Sequence, residues 1–140
     1  ELKLRDRLMG RASYQLNDFR FDGDPVYGDH RLAGLPRQRL ALEVLYLGER
    51  DLYAGPSLVG ASSTWIDHAN TLQAPGYAVL GFKFGQRVTR GLSWFVDLRN
   101  LTDRRYTATT GVLADASGQD SRQFYPGDGR SAFVGVEWKP

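Results

Sequence analysis

Apolar and polar residues alternate with a period of two along most of this chain, and that spacing commits it to strands. Successive side chains of a strand point to opposite faces, so strict alternation gives each strand one greasy side and one wet side. Leu8, Gly10, Ala12, Tyr14 and Leu16 share a face, opposite Met9, Arg11, Ser13, Gln15 and Asn17. A second strand, Gln38 to Leu47, sets Leu40, Leu42, Val44 and Tyr46 against Ala41, Glu43 and Leu45. A third is read from Leu52 to Ile66, weakened by Gly55-Pro56 and a run of Ser and Thr. The fourth opposes Ala78, Leu80, Phe82 and Phe84 to Val79, Gly81, Lys83 and Gly85. The fifth opposes Leu92, Trp94, Val96 and Leu98 to Ser93, Phe95, Asp97 and Arg99. The sixth, Ser131 to Trp138, opposes Ala132, Val134, Val136 and Trp138 to Phe133, Gly135, Glu137 and Lys139. No segment holds apolar residues at helical spacing for three turns, so helices are not expected.

The connections add a second constraint. Asp22-Gly23-Asp24-Pro25 opens a long loop that runs to Pro36, and Gly48 to Asp51 is a tight turn. Asp67 to Gly76 is long again, Val88 to Gly91 short, and a Gly/Asp/Ser-rich excursion separates the last two strands. Long and short connections therefore alternate, which puts all the long ones at one end of an antiparallel up-and-down sheet. Bacterial membrane barrels segregate loop length in this way. A soluble sandwich or small barrel binding an apolar ligand or a protein partner stays open as the alternative. It requires Phe82, Phe84, Trp94 and Trp138 to meet in one core.

Composition removes several other classes. With 140 residues and a net charge of +2, the chain is one domain-sized unit of near-even charge. Its fifteen arginines are scattered among aspartates rather than clustered, so nucleic acid is not an expected partner. No cysteine is present, which excludes disulfides, thiolate metal sites and cysteine nucleophiles. No apolar run reaches the ~18 residues of a membrane helix. Glu1 to Asp6 has no apolar core, so no signal peptide is expected there. His30 and His68 are the only histidines, and no nucleophile elbow, calcium-loop spacing among Asp115, Asp120 and Asp128, or phosphate loop accompanies them. Asp67-His68 is too small a set to hold a metal, and solvation in a loop is the expectation for it. The chain is not expected to be an enzyme, and no cofactor or metal is expected.

Two elements bracket the last long loop. The first is Asn100-Leu101-Thr102-Asp103-Arg104-Arg105-Tyr106, and the second is Tyr125-Pro126-Gly127-Asp128-Gly129-Arg130. The short polar side chains of Asn100 and Asp103 suit bonding to nearby backbone where pairing loosens. Pro126, Gly127 and Gly129 suit a sharp turn into the last strand, and Arg130 can pair with a carboxylate or a neighbouring loop. With this layout the chain resembles the C-terminal end of TonB-dependent outer-membrane receptors. Their penultimate strand ends in a segment like Asn-Leu-Thr-Asp-x-x-Tyr, and a Pro-Gly-x-Gly-Arg element opens the last strand. Tyr14 to Phe21, Gly34-Leu35-Pro36-Arg37 and Gly76-Tyr77 are similar to further elements of the family, so the resemblance covers essentially the whole chain. The chain departs from the family at its last position, which holds Pro140 after Trp138-Lys139 where an aromatic is usual.

The resemblance implies an all-β segment, residues 1–140, forming the last six strands of a larger transmembrane barrel in the outer membrane of a Gram-negative bacterium. Six strands are too few to close, since membrane barrels begin at about eight. Receptors of this class surround a plug with about 22 strands. The implied function is energy-coupled import of a scarce nutrient such as a ferric siderophore. The implied partners are outer-membrane lipid, the plug and remaining strands, and TonB through the missing N-terminal part. Open strand edges also favour self-association. Expected ligand contacts are loop residues: Tyr27, His30, Arg31, His68, Arg122, Phe124 and Tyr125.

Overall fold

The computed structural model describes residues 2–119 and 123–139. Among the described residues eleven strands run in chain order: β1 (Leu2–Arg5), β2 (Leu8–Leu16), β3 (Gln38–Leu47), β4 (Leu52–Ala61), β5 (Thr64–Trp65) and β6 (Gln73–Ala74), then β7 (Tyr77–Thr89), β8 (Leu92–Arg99), β9 (Thr107–Thr110), β10 (Phe124–Pro126) and β11 (Ser131–Trp138). Seven of them form one antiparallel sheet in the order β1-β2-β3-β4-β7-β8-β11, and β5-β6 and β9-β10 are separate two-stranded ribbons. All six expected strands are present, and β3 and β8 begin and end where the alternation does. The third strand is shorter than expected. It leaves the sheet at Ala61, and Thr64–Trp65 turns back to pair with Gln73–Ala74. β1 was not foreseen, because four residues are too few for alternation to register. The fourth strand runs on to Thr89, which leaves Arg90-Gly91 as its turn.

The register aligns the greasy sides of all the long strands. Tyr14 opposes Leu40, Leu40 opposes Gly60, and Leu58 opposes Leu80. Phe84 opposes Val96, and Val96 opposes Val134. One face, called outer here, is thus apolar from β2 to β11. Phe82, Phe84 and Trp94 touch on it, with ring centroids 6.3 and 6.0 Å apart. Trp138 does not join them and is 71% exposed, as Val134 and Val136 are at 72% and 70%. No second layer covers this face among the described residues. The closed core that a stand-alone sandwich needs is therefore not formed.

Turn chemistry sorts the connections by end. Arg50 and Asp51 both take left-handed backbone (φ 55° and 57°), the pairing that lets a short hairpin follow strand twist. Short turns at 6–7, 48–51 and 90–91 occupy one end of the sheet, and the long loops 17–37, 62–76 and 100–130 occupy the other. The apolar core of the described residues also has an unusual place. Ala33, Ile66 and Ala74 are buried within the long-loop cap, and Leu45 is the one buried apolar side chain of the sheet. The wall is thin and the cap is solid.

Candidate functional site

Three constructions share the long-loop end and the inner face. The first is a ladder of charges on the inner face. Glu43 on β3 accepts from Arg11 on β2 at 3.4 Å and from Lys83 on β7 at 2.6 Å. Strand β4 lies between Lys83 and Glu43, and it presents Gly55 opposite Lys83 and Ser57 opposite Glu43. Those small residues clear the path for a side chain to cross a whole strand. Asp97 opposes Lys83 across β7-β8 and binds Arg99 at 2.8 Å, and the Arg99 guanidinium lies 4.5 Å from the Phe133 ring centre. The ladder walls a trough of about 560 Å³ that reaches from Arg11 to Asn100 and Asp128. Its half-exposed pairs each contribute below ~1 kcal/mol. Their effect is to fix a charged, wet surface opposite the apolar one.

The second construction knots the long loops together through Asp67, which is fully buried. Its carboxylate accepts from Thr71 N at 3.0 Å, Thr71 Oγ1 at 2.6 Å, Leu72 N at 3.1 Å and Ala116 N at 3.1 Å. Burial pushes this carboxyl upward, but the Thr71 hydroxyl and the three amides outweigh it and hold the group below the ordinary carboxylate range. The loop-solvation expectation for Asp67 is thereby corrected: a carboxylate with four converging donors has no use for water. Neighbouring Asn70 exchanges hydrogen bonds of 2.9 Å with the backbone of Arg31, and His30 Nδ1 lies 3.1 Å from the His68 carbonyl. Phe21, Tyr27 and His68 stack with centroids 4.9 to 5.7 Å apart. Asp24 sets Tyr27 in place by accepting from the Val26 and Tyr27 amides at 2.8 and 2.9 Å. Those amides, Tyr27 first, hold the Asp24 carboxyl below its usual range.

The third construction explains the two terminal motifs as one clamp. Asn100 is 3% exposed with φ 50°. Its Nδ2 donates to the carbonyls of Arg104 and Asp128, and its Oδ1 accepts from Arg104 N, all at 2.9 Å. Asp103 accepts from Arg130 N at 3.3 Å and from the Arg130 guanidinium at 3.4 Å. Tyr106 stacks on Tyr77, with centroids 4.4 Å apart, and lies flat over Gly127. Burial, then the nearby Tyr77 and Asp128, pushes the Tyr106 phenol above its ordinary range. The expected reason for Gly127 and Gly129 is corrected. Neither takes a left-handed φ, and Gly127 is required because a Cβ there would overlap the Tyr106 ring. Gly127→Ala is expected to cost about 2 kcal/mol by pushing that ring off its seat, read as a lower denaturation midpoint. An unchanged midpoint would show that the ring moves freely. Leu101 and Thr102 are exposed turn residues, and Pro126 ends β10 opposite Thr107.

The expected ligand contacts divide. Tyr27, His30 and His68 form one cluster on the cap. Arg31 contributes its backbone there, but its guanidinium turns away to Asp18 at 3.6 Å. Phe124 and Tyr125 lie apart on β10, paired with Thr110 and Thr109. Arg122 and Asp120 fall outside the described residues. Asp67 and Phe21 were missed. A buried carboxylate is signalled only by donors that the sequence places up to 49 residues away.

Solved structures with this arrangement are transport receptors. The chain is similar to the siderophore receptor PiuA of Acinetobacter baumannii, with a TM-score of 0.72 and 22% identity over 96% of this chain and 20% of that one. It is similar to the ferric yersiniabactin uptake receptor FyuA of Yersinia pestis, with a TM-score of 0.71 and 19% identity over 96% of this chain and 21% of that one. A variant of the ferric enterobactin receptor PfeA of Pseudomonas aeruginosa, in complex with enterobactin, gives a TM-score of 0.72 and 20% identity over 98% of this chain and 21% of that one. The chain thus spans about a fifth of the length of these receptors. No curated protein matches it. The sequence profile of the TonB-dependent receptor-like β-barrel matches residues 1–101, and the chain belongs to that family.

Proposed function

We propose that this chain is the closing wall of an outer-membrane transport barrel and serves in TonB-dependent uptake of a scarce nutrient chelate such as a ferric siderophore. The observation that carries the reading is the two-sidedness of the sheet. An apolar outer face continuous over six strands suits hydrocarbon, and the charged trough behind it suits a wet lumen. The rest of the receptor supplies the plug, the remaining strands and the contact with TonB, and seals the open edges of β1 and β11. The Phe21, Tyr27, His30 and His68 cluster faces outward on the cap as the surface that first meets the chelate.

Cells lacking the gene are expected to lose uptake of a radiolabelled ferric siderophore, and the intact gene restores it only when TonB is functional. The protein is expected in the outer-membrane fraction, with mobility on gels that changes on heating. Tyr27→Ala with His68→Ala is expected to lower uptake affinity roughly tenfold, on the scale of losing stacked aromatics. Recovery in the soluble fraction, or uptake that ignores both the gene and TonB, would sink the proposal.

A further inference from the structure

Two arginines of the terminal clamp are left unused by the fold. Arg104 and Arg105 fill the two positions that the Asn-Leu-Thr-Asp-x-x-Tyr pattern leaves unspecified, and both are exposed at the long-loop end. Neither guanidinium has a hydrogen-bond, ion-pair or ring partner among the described residues. Both line an open cleft of about 330 Å³ beside Phe124 and Pro126, so a second macromolecule can reach them. An accessible pair of adjacent cations suits an endoprotease whose subsites are acidic.

The backbone between those side chains is withheld. Arg104 N donates to Asn100 Oδ1, and the Arg104 carbonyl accepts from Asn100 Nδ2, both at 2.9 Å. A protease needs the scissile carbonyl turned toward its own oxyanion donors, and here Asn100 already holds it. The same Nδ2 carries a second hydrogen, which goes to the Asp128 carbonyl at 2.9 Å. Asp128 leads into β11, so the amide that shields Arg104 is fully seated only once the last hairpin has closed. We infer that Arg104–Arg105 is a proteolytic checkpoint on that closure. An endoprotease specific for paired basic residues hydrolyses the bond in chains whose terminal hairpin is open, and passes over chains in which Asn100 is seated. Water adds across the amide, leaving a carboxylate on Arg104 and an ammonium on Arg105. The cut severs β11 from the strands before it, which removes a chain that cannot finish its wall.

The test uses the full receptor in mild detergent, with trypsin as the probe and the cleaved bonds identified by mass spectrometry. Asn100→Gly keeps the left-handed backbone and removes the side chain. It is expected to be cut at Arg104–Arg105 roughly tenfold faster than wild type. Arg130→Gln loosens the Asp103 side of the clamp and keeps the Asn100 bonds, so it is expected to resist as wild type does. Equal rates for wild type and Asn100→Gly overturn the inference. So does cutting of Arg130→Gln at the Asn100→Gly rate, which assigns protection to the hairpin at large. In cells, Asn100→Gly is expected to fall roughly fivefold in abundance and to leave a fragment that begins at Arg105. Adding Arg104→Gln and Arg105→Gln is expected to restore the abundance, and those two changes alone are expected to leave uptake unchanged. If Asn100→Gly does not fold, the cellular comparison still decides, because the checkpoint acts on open hairpins. No fragment beginning at Arg105, or no restoration, overturns the checkpoint and leaves the transport reading standing.

Discussion

Asn100→Ala is expected to destabilise the terminal hairpin by about 4 kcal/mol, combining an unfavourable left-handed backbone with buried polar groups left unpaired. The side chain makes three hydrogen bonds of 2.9 Å, two to the backbone of Arg104 in its own turn and one across to Asp128. No nearby water can replace them, since the residue is 3% exposed. Asn100→Gly relieves the backbone part and is expected to recover about 1 kcal/mol. Asn100→Asp keeps the acceptor but turns a negative charge toward two carbonyls, and is expected to be as damaging as alanine. Urea titration of the refolded receptor in detergent micelles measures all three. A loss below about 0.5 kcal/mol for the alanine variant, the range of an ordinary surface change, would falsify the clamp.

Replacing Asp67 is expected to open the cap without unfolding the wall. Asp67→Ala strands four donors, three of them backbone amides, that converge on a side chain which is itself fully buried. Each unsatisfied buried donor costs about 1–3 kcal/mol, so local opening becomes easier by roughly a hundredfold or more. The measurement is hydrogen exchange at Thr71, Leu72 and Ala116, with the amides of β3 and β7 as the unaffected reference. Uniform acceleration across cap and strands would contradict a local knot. The pH dependence follows from the lowered pKa of Asp67. Its stabilisation is complete above the ordinary carboxylate value of about 3.9 and is lost as pH falls through the lower native value. Cap exchange is therefore expected to show no stabilisation change from Asp67 between neutral pH and about pH 5, and to accelerate only in stronger acid. Asp67→Asn removes that acid limb.

The wall was legible in the sequence because its rule is local. Leu40, Leu42, Val44 and Tyr46 announce a face with no knowledge of any other strand, and the register then brings each announced face into line. The terminal motifs were legible as a resemblance, and their chemistry only in part. Asn100 was expected to bond nearby backbone and does so at Arg104, yet one of its three bonds is to Asp128, 28 residues on. Gly127 was expected to serve a turn and instead serves the Tyr106 ring. The cap was the least legible part. Asp67, Thr71 and Ala116 carry no periodic signal, and their meeting depends on where two loops fall once the strands are paired. Arg31 shows the same limit: its type suggested a ligand contact, and only the fold turns its guanidinium toward Asp18.

Each long strand of the sheet pairs with the long strands that precede and follow it in sequence, from β1 through β11. Such a wall grows by accretion, one hairpin at a time, and needs no distant segment to arrive before the next strand can add. The cap has the opposite character, because the Ala116 to Asp67 bond spans 49 residues and two intervening strands of the sheet, β7 and β8. Assembly therefore has a built-in order: the wall can be laid down progressively, while the cap can be tied only after β8 is in place. A stalled hairpin at β4 or β7 would leave the loops untied and the long-loop end open to proteases, even with β2 and β3 correctly paired.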